Sequence, residues 1–133
     1  MGSDVHRLVK DFSPIFDPET SGISSVTYQD TTVRLFYANC NDAIQSHHSR
    51  GIFYEEDILD IISQNFSPGG CFVDIGANVG NHAIFVAKRL QASRVIALEP
   101  AKFAHSILHL NVLLNELGGI VKVHKVAASD AEG

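Results

Sequence analysis

Asp74 and Glu99 are the residues whose type and position point first to chemistry. Asp74 stands in FVDIGANVGNHAIF (72–85), where an apolar strand enters a turn bracketed by Gly76 and Gly80 and then a helix. Glu99 closes the next apolar run, RVIALEP. An acid roughly 20 residues after such a turn, at the end of the following strand, can accept hydrogen bonds from both hydroxyls of a ribose. Each hydrogen bond to a charged acceptor contributes roughly 1.5–3 kcal/mol. Gly76 can take backbone angles closed to other residues and lets a ligand approach the main chain. Gly80 allows the helix to pack closely at its start, where backbone N–H groups are unpaired. The dinucleotide fingerprint is G-x-G-x-x-G. Here the spacing is G-x-x-x-G with Asn78 in between, so the glycine that seats a pyrophosphate is missing. A carboxylate at Asp74 would repel a pyrophosphate and attract a cation. The turn therefore prefers a ligand with a nucleoside and a positive centre, and a nicotinamide-nucleotide enzyme is the weaker reading. Asn78 tolerates the left-handed region and also suits the turn on conformational grounds alone.

These residues need a scaffold. CFVDI (71–75), RVIAL (94–98) and IVKVHKV (120–126) are short apolar runs. They alternate with helical patterns over 81–90 and 101–117, the second carrying Phe103, Ile107, Leu110, Leu114 and Leu117 on one stripe. Such alternation predicts a βαβαβ unit and a parallel sheet with right-handed crossovers. Ligands then bind beyond the carboxyl ends of the strands, where Asp74 and Glu99 fall. Upstream, YEEDILDIISQNF (54–66) reads as a helix with Ile58, Ile61 and Ile62 at helical spacing and acids in its first turn. The β-branched stretch 24–39 breaks at Gln29–Asp30 and predicts a hairpin, with strands near 24–28 and 32–38. Residues 41–51 read as a loop or short helix. Residues 1–22, broken by Pro14, Pro18 and Gly22, read as an irregular arm with a short helix near the start.

The chain has 133 residues, 45% of them hydrophobic and 19% charged, which is the balance of a globular domain. The net charge of −5 argues against broad binding to nucleic acid or an anionic membrane. No apolar run approaches the ~20 residues of a membrane span, and no secretory h-region opens the chain, so a cytoplasmic protein is expected. Cys40 and Cys71 have no CxxC spacing and are expected to be reduced thiols, Cys71 at or near a buried strand.

The string PGGCFVDIGANVGNHAIFVAK, then VIALEP, LHLNVLLN and VAASDAEG, resembles the FkbM family of class I S-adenosylmethionine-dependent methyltransferases. The likeness covers roughly 50–133 and includes GIFYEEDIL. It implies a partial Rossmann-like α/β domain over 51–133, with three parallel strands and without the C-terminal half of the fold. An arm and hairpin over 1–50 precede it. Along the cofactor, the resemblance implies Asp74 and Gly76 at the methionine part, with Ala77, Asn78 and Gly80 completing the loop. Glu99 would hold the ribose, and Pro100 and Ala101 would lie near the adenine. Ser129 or Asp130 would approach the adenine amino group, and Glu55 would reach the cofactor from the upstream helix.

The implied reaction is methyl transfer to an oxygen on a small molecule or sugar, with no nucleic acid and no membrane partner. The catalytic base is not identified. A half sheet leaves an open edge, which favours homo-oligomers, and the chain alone is expected to be inactive. The alternative is a non-catalytic module that binds the cofactor or a partner. No metal site is expected: His105 and His109 form HxxxH without a third ligand and read as a solvated helix face. His47 and His48 read as surface. His82 opens the helix beside the turn and reads first as a helix-start packing residue, second as a lining of the acceptor side.

Overall fold

The computed structural model describes residues 17–130. The predicted helix near the chain start lies outside them. Strands β1 (Gly22–Tyr28) and β2 (Thr31–Tyr37) form the expected antiparallel hairpin with Val26 opposite Val33. Gln29 and Asp30 both have left-handed backbones, φ 50° and 61°, so the connection is a two-residue turn matched to the twist of the strands. Val26, Val33 and Leu35 point inward and are fully buried. A short helix α1 (Gln45–Ser49) leads to α2 (Glu56–Asn65). Tyr28 Oη and Gln29 Nε2 both donate to Asp60 Oδ1, at 2.8 and 2.9 Å, and tie the hairpin tip to α2.

The three remaining strands, β3 (Cys71–Ile75), β4 (Arg94–Leu98) and β5 (Val121–His124), are parallel in the order β3-β4-β5. Asp74 is in register with Ala97, and Ala97 with Val123. Helices α3 (Asn81–Arg89) and α4 (Lys102–Leu114) are the crossovers. Phe85, Ile84 and Leu108 from these helices, Val95 and Ala97 from β4 and Leu35 from the hairpin share one core. Phe53 meets Phe85 edge-on at 5.5 Å between ring centres.

The hairpin is joined to α4 by two asparagines one helical turn apart. Asn111 Oδ1 accepts from Phe36 N at 2.8 Å, while Asn115 pairs with both the N–H and the C=O of Arg34, at 2.9 and 2.8 Å. They satisfy backbone groups on the outer edge of β2 that a lone hairpin would leave to water.

Three packing expectations change. Cys71 is exposed rather than buried, because β3 is an edge strand and no described element covers its second face. On that face Val73 and Ile75 are 52% and 64% exposed. On α4, Phe103 is 54% exposed, and the buried stripe runs through Ile107, Leu108, Leu110, Asn111 and Val112. On α2, Leu59 is the fully buried residue and Ile61 faces out. Of the expected stripe along α4, Ile107, Leu110 and Leu117 are buried and Phe103 is not; on α2 Ile62 packs partly buried against the core while Ile61 does not. Among the described residues no helix is long and apolar enough to cross a membrane.

Candidate cofactor site

The turn after β3 is held by its own backbone amides. Gly76 N and Ala77 N both donate to Leu98 O at 2.9 Å, and Gly80 N donates to Ala77 O at 3.0 Å. Asn78 N donates to Glu99 Oε1 at 2.7 Å. These four amides are thus engaged within the protein, so the turn is not a phosphate cradle of the kind a dinucleotide site builds from free N–H groups. Gly76, with φ 72°, has nothing within 4 Å of where a Cβ would stand, so open space lies in front of it. Gly80, with φ 102°, is the opposite case. A Cβ there would meet Leu108 Cδ1 at 2.9 Å, so helix packing requires the glycine. Asn78 takes the left-handed conformation, φ 53°.

What the turn offers a ligand is acid. Asp74 is 8% exposed, and its Oδ2 has no hydrogen-bond partner. Burial pushes its carboxyl above the usual range. Nearby His82 and the Ala83 N–H pull it back, and Glu99 adds to the upward push. Glu99 is 7% exposed, which excludes a solvated strand end. Its Oε2 accepts from Ala101 N at 3.0 Å, so each oxygen holds one amide and keeps a lone pair for another donor. An orphaned buried carboxylate oxygen, a second buried carboxylate with spare acceptor capacity and an uncrowded glycine suit a ligand with a cationic centre and ribose hydroxyls. The residues present therefore fit S-adenosylmethionine.

A cavity of about 120 Å³ opens beside the turn and brings Glu55, Gly76, Ala77 and Asn78 together with Asn81 and His82. Glu55 precedes α2 with a left-handed backbone, φ 58°, and its Oε1 lies 3.5 Å from His82 Nε2. Asp74 and Glu99 stand at the neighbouring strand ends and, like Gly80, do not line the cavity itself. Pro100, Ser129 and Asp130 are exposed and do not line this cavity.

Sequence reasoning missed the residues that brace it. Asn81 Oδ1 accepts from Tyr54 N at 2.8 Å, and its Nδ2 donates to Tyr54 O at 2.7 Å. The same Oδ1 lies 2.8 Å from Nε2 of His48, which is fully buried rather than on the surface. Because Asn81 Oδ1 can only accept, His48 donates from Nε2, and its Nδ1 is left bare. Asn111 Nδ2 donates to Val79 O at 2.8 Å and ties the turn to α4. For Asn111 the available signal was a polar residue on an otherwise apolar helix face; Asn81 at a helix start and His48 in the polar run QSHHS carry no such signal.

No family model matches the chain. A curated relative, "Methyltransferase sdnD" of Sordaria araneosa, is 29% identical over 77 residues, 58% of this chain and 28% of the relative. Among solved structures, Methanocaldococcus jannaschii TYW2 in complex with AdoMet superposes with a TM-score of 0.52 at 22% identity, covering 81% of this chain and 44% of that one. The M. jannaschii tRNA m1G37 methyltransferase gives 0.55 at 18% identity, covering 82% and 31%. This chain has the fold of the class I S-adenosylmethionine-dependent methyltransferases. It spans less than half the length of each of these proteins. The comparison corrects one expectation. The exclusion of nucleic acid, drawn from the net charge of −5, does not stand, because a tRNA methyltransferase carries this fold over four-fifths of the chain. Net charge averages over a surface and does not report the partner of one face.

Proposed function

We propose that the chain binds S-adenosylmethionine at the β3–α3 turn and serves methyl transfer, as the FkbM-like sequence implies. The observation that carries this reading is the pair of buried acids at the strand ends, Asp74 with an unpartnered oxygen and Glu99 with spare acceptor capacity. When bound, the cofactor supplies an electrophilic methyl group on a sulfonium. In this reading Asp74 faces the cationic methionine end and Glu99 the ribose hydroxyls. Gly76, Ala77, Asn78 and Gly80 shape the loop, Glu55 approaches from α2, and Pro100, Ser129 and Asp130 flank the adenine. The protein's contribution to rate is then mainly placement of donor and acceptor, worth up to ~7–11 kcal/mol in favourable cases.

The finer reading is transfer to an oxygen, in a cytoplasmic protein, with hydroxylated small molecules and sugars as one acceptor class. Nucleic acid is the other acceptor class, since the M. jannaschii tRNA m1G37 methyltransferase shares the fold. In this reading the chain alone does not turn over, since the residues assigned to the site contact the cofactor and none is assigned as a base for the acceptor. Methyl transfer by the isolated monomer would overturn that expectation.

The deciding experiment is a calorimetric titration with S-adenosylhomocysteine, with NAD in parallel. Saturable binding of the first alone supports the reading. Binding of NAD, or of neither by a folded chain, overturns it for this chain.

A further inference from the structure

A second cavity, of about 290 Å³, lies away from the cofactor turn, between α4 and the outer edge of β5. None of the proposed cofactor residues lines it. Its walls include Val112 and Val121, both buried, with Leu113 beside them. His105 and His109, one helical turn apart on α4, and Lys122 on β5 supply the charge. Among the described residues no carboxylate lines it. In a chain of net charge −5, three cationic or protonatable groups converge here on an apolar floor. Lys122 Nζ donates to Gly118 O at 3.0 Å, which fixes the ammonium at the wall and leaves two of its three donors free. The sequence reads His105 and His109 as a solvated helix face, but both are partly buried and line this cavity.

The geometry points to a binding site for a small phosphorylated molecule, its phosphate held by Lys122, His105 and His109 and its organic part resting on the apolar floor. The volume lies just below the usual range of small-ligand sites, roughly 300–1,000 Å³, and is too small to enclose a length of nucleic acid. A low-dielectric floor strengthens the attraction between such cations and a dianion. His105 is held toward its neutral form by burial, then by His109 on its own helix and Lys125 after β5, with Glu99 at the end of β4 opposing them. A bound dianion reverses that balance, so binding takes up a proton. The site does not depend on the methyltransferase reading.

The test is a titration of the full chain monitored by backbone amide and histidine ring resonances in NMR, at constant ionic strength. Sulfate, dianionic from pH 6 to pH 8, isolates the response of the histidines. The expected result is saturable shifts at His105, His109 and Lys122, with affinity about tenfold higher at pH 6 than at pH 8. Glycerol 3-phosphate should bind more tightly than inorganic phosphate. Lys122→Gln and His105→Gln should each weaken binding, with Lys88→Gln on α3 as the unchanged control. The wild-type pH comparison stands even where a variant does not fold. Non-saturable shifts, affinity equal at both pH values, or no preference for the organic phosphate would overturn the proposal. So would a short single-stranded RNA binding here while both phosphates fail.

Discussion

Glu99 Oε1 accepts the backbone N–H of Asn78 at 2.7 Å, joining the end of β4 to the turn that follows β3. Its other oxygen accepts from Ala101 N. The acid proposed to hold the ribose is therefore also a structural member of the turn, and removing it has two consequences that must be separated. Glu99→Ala leaves two amides without their acceptor, each costing about 1–3 kcal/mol if water does not replace it. Glu99→Gln keeps the shape and one acceptor oxygen. In urea melts the alanine variant is expected to lose about 2–4 kcal/mol and glutamine roughly half that. Both should weaken S-adenosylhomocysteine binding by about tenfold or more. A glutamine variant that is folded and binds normally would remove Glu99 from the ligand.

Asp74 is the converse case, where function opposes stability. Burial raises its carboxyl above the usual value, so the folded chain holds its proton more tightly than the unfolded one does. The linkage sign follows: this stabilising contribution is full below pH 3.8 and is lost as pH rises through the higher folded value. At neutral pH the ionised Asp74 therefore destabilises the free protein. Asp74→Asn is expected to raise the melting temperature at pH 7, by less as pH falls toward 4, and to abolish binding of S-adenosylhomocysteine. A lower melting temperature at pH 7 would show that His82 and the Ala83 N–H together outweigh the burial.

The two glycines of the turn should respond differently to the same substitution. Both have positive φ, so alanine costs about 1 kcal/mol at either position. At Gly80 the new methyl also strikes Leu108 and Ile84, so Gly80→Ala is expected to cost about 2–4 kcal/mol in all. At Gly76 the methyl enters empty space, and stability should fall by little more than the backbone term. It would instead occupy ligand volume and lower affinity on the order of tenfold, about 1.4 kcal/mol. Melts and titrations of both variants check this, and equal stability losses would contradict it.

The strand and helix runs were legible because each apolar run is bounded by punctuation the chain cannot ignore. CFVDI lies between Gly69–Gly70 and Gly76, RVIAL stops at Pro100, and the hairpin turns at Gln29–Asp30. The acids at the strand ends were legible for the same reason, since strand ends locate the ligand side of a parallel sheet. Buried polar contacts were not. Asn111 pairs with Val79 and Phe36, more than thirty residues away in each case, and nothing in its neighbours LHLNVLL names those partners. The cavity beside β5 was illegible because it needs α4 and an edge strand side by side.

Asn81 and His48 give the last prediction. Asn81 binds both backbone groups of Tyr54 and the His48 ring, and so sets where Glu55 stands beside His82. Burial lowers the His48 pKa below 6.5, with the bond to Asn81 opposing. A histidine with a depressed folded value is protonated first in the unfolded chain, so stability is full above pH 6.5 and falls as pH drops below it. Urea melts from pH 7.5 to 5 should show that decline. Asn81→Ala is expected to cost about 2–4 kcal/mol, because the buried His48 ring and the two partly buried backbone groups of Tyr54 lose their partner. His48→Gln can still donate to Asn81 but cannot take up a proton. Its stability should therefore be flatter with pH than that of the wild type, with the remaining slope carried by other groups such as His105. A slope unchanged in His48→Gln would place the pH sensitivity elsewhere and leave Asn81 as a hydrogen-bonding brace without a role in pH sensitivity.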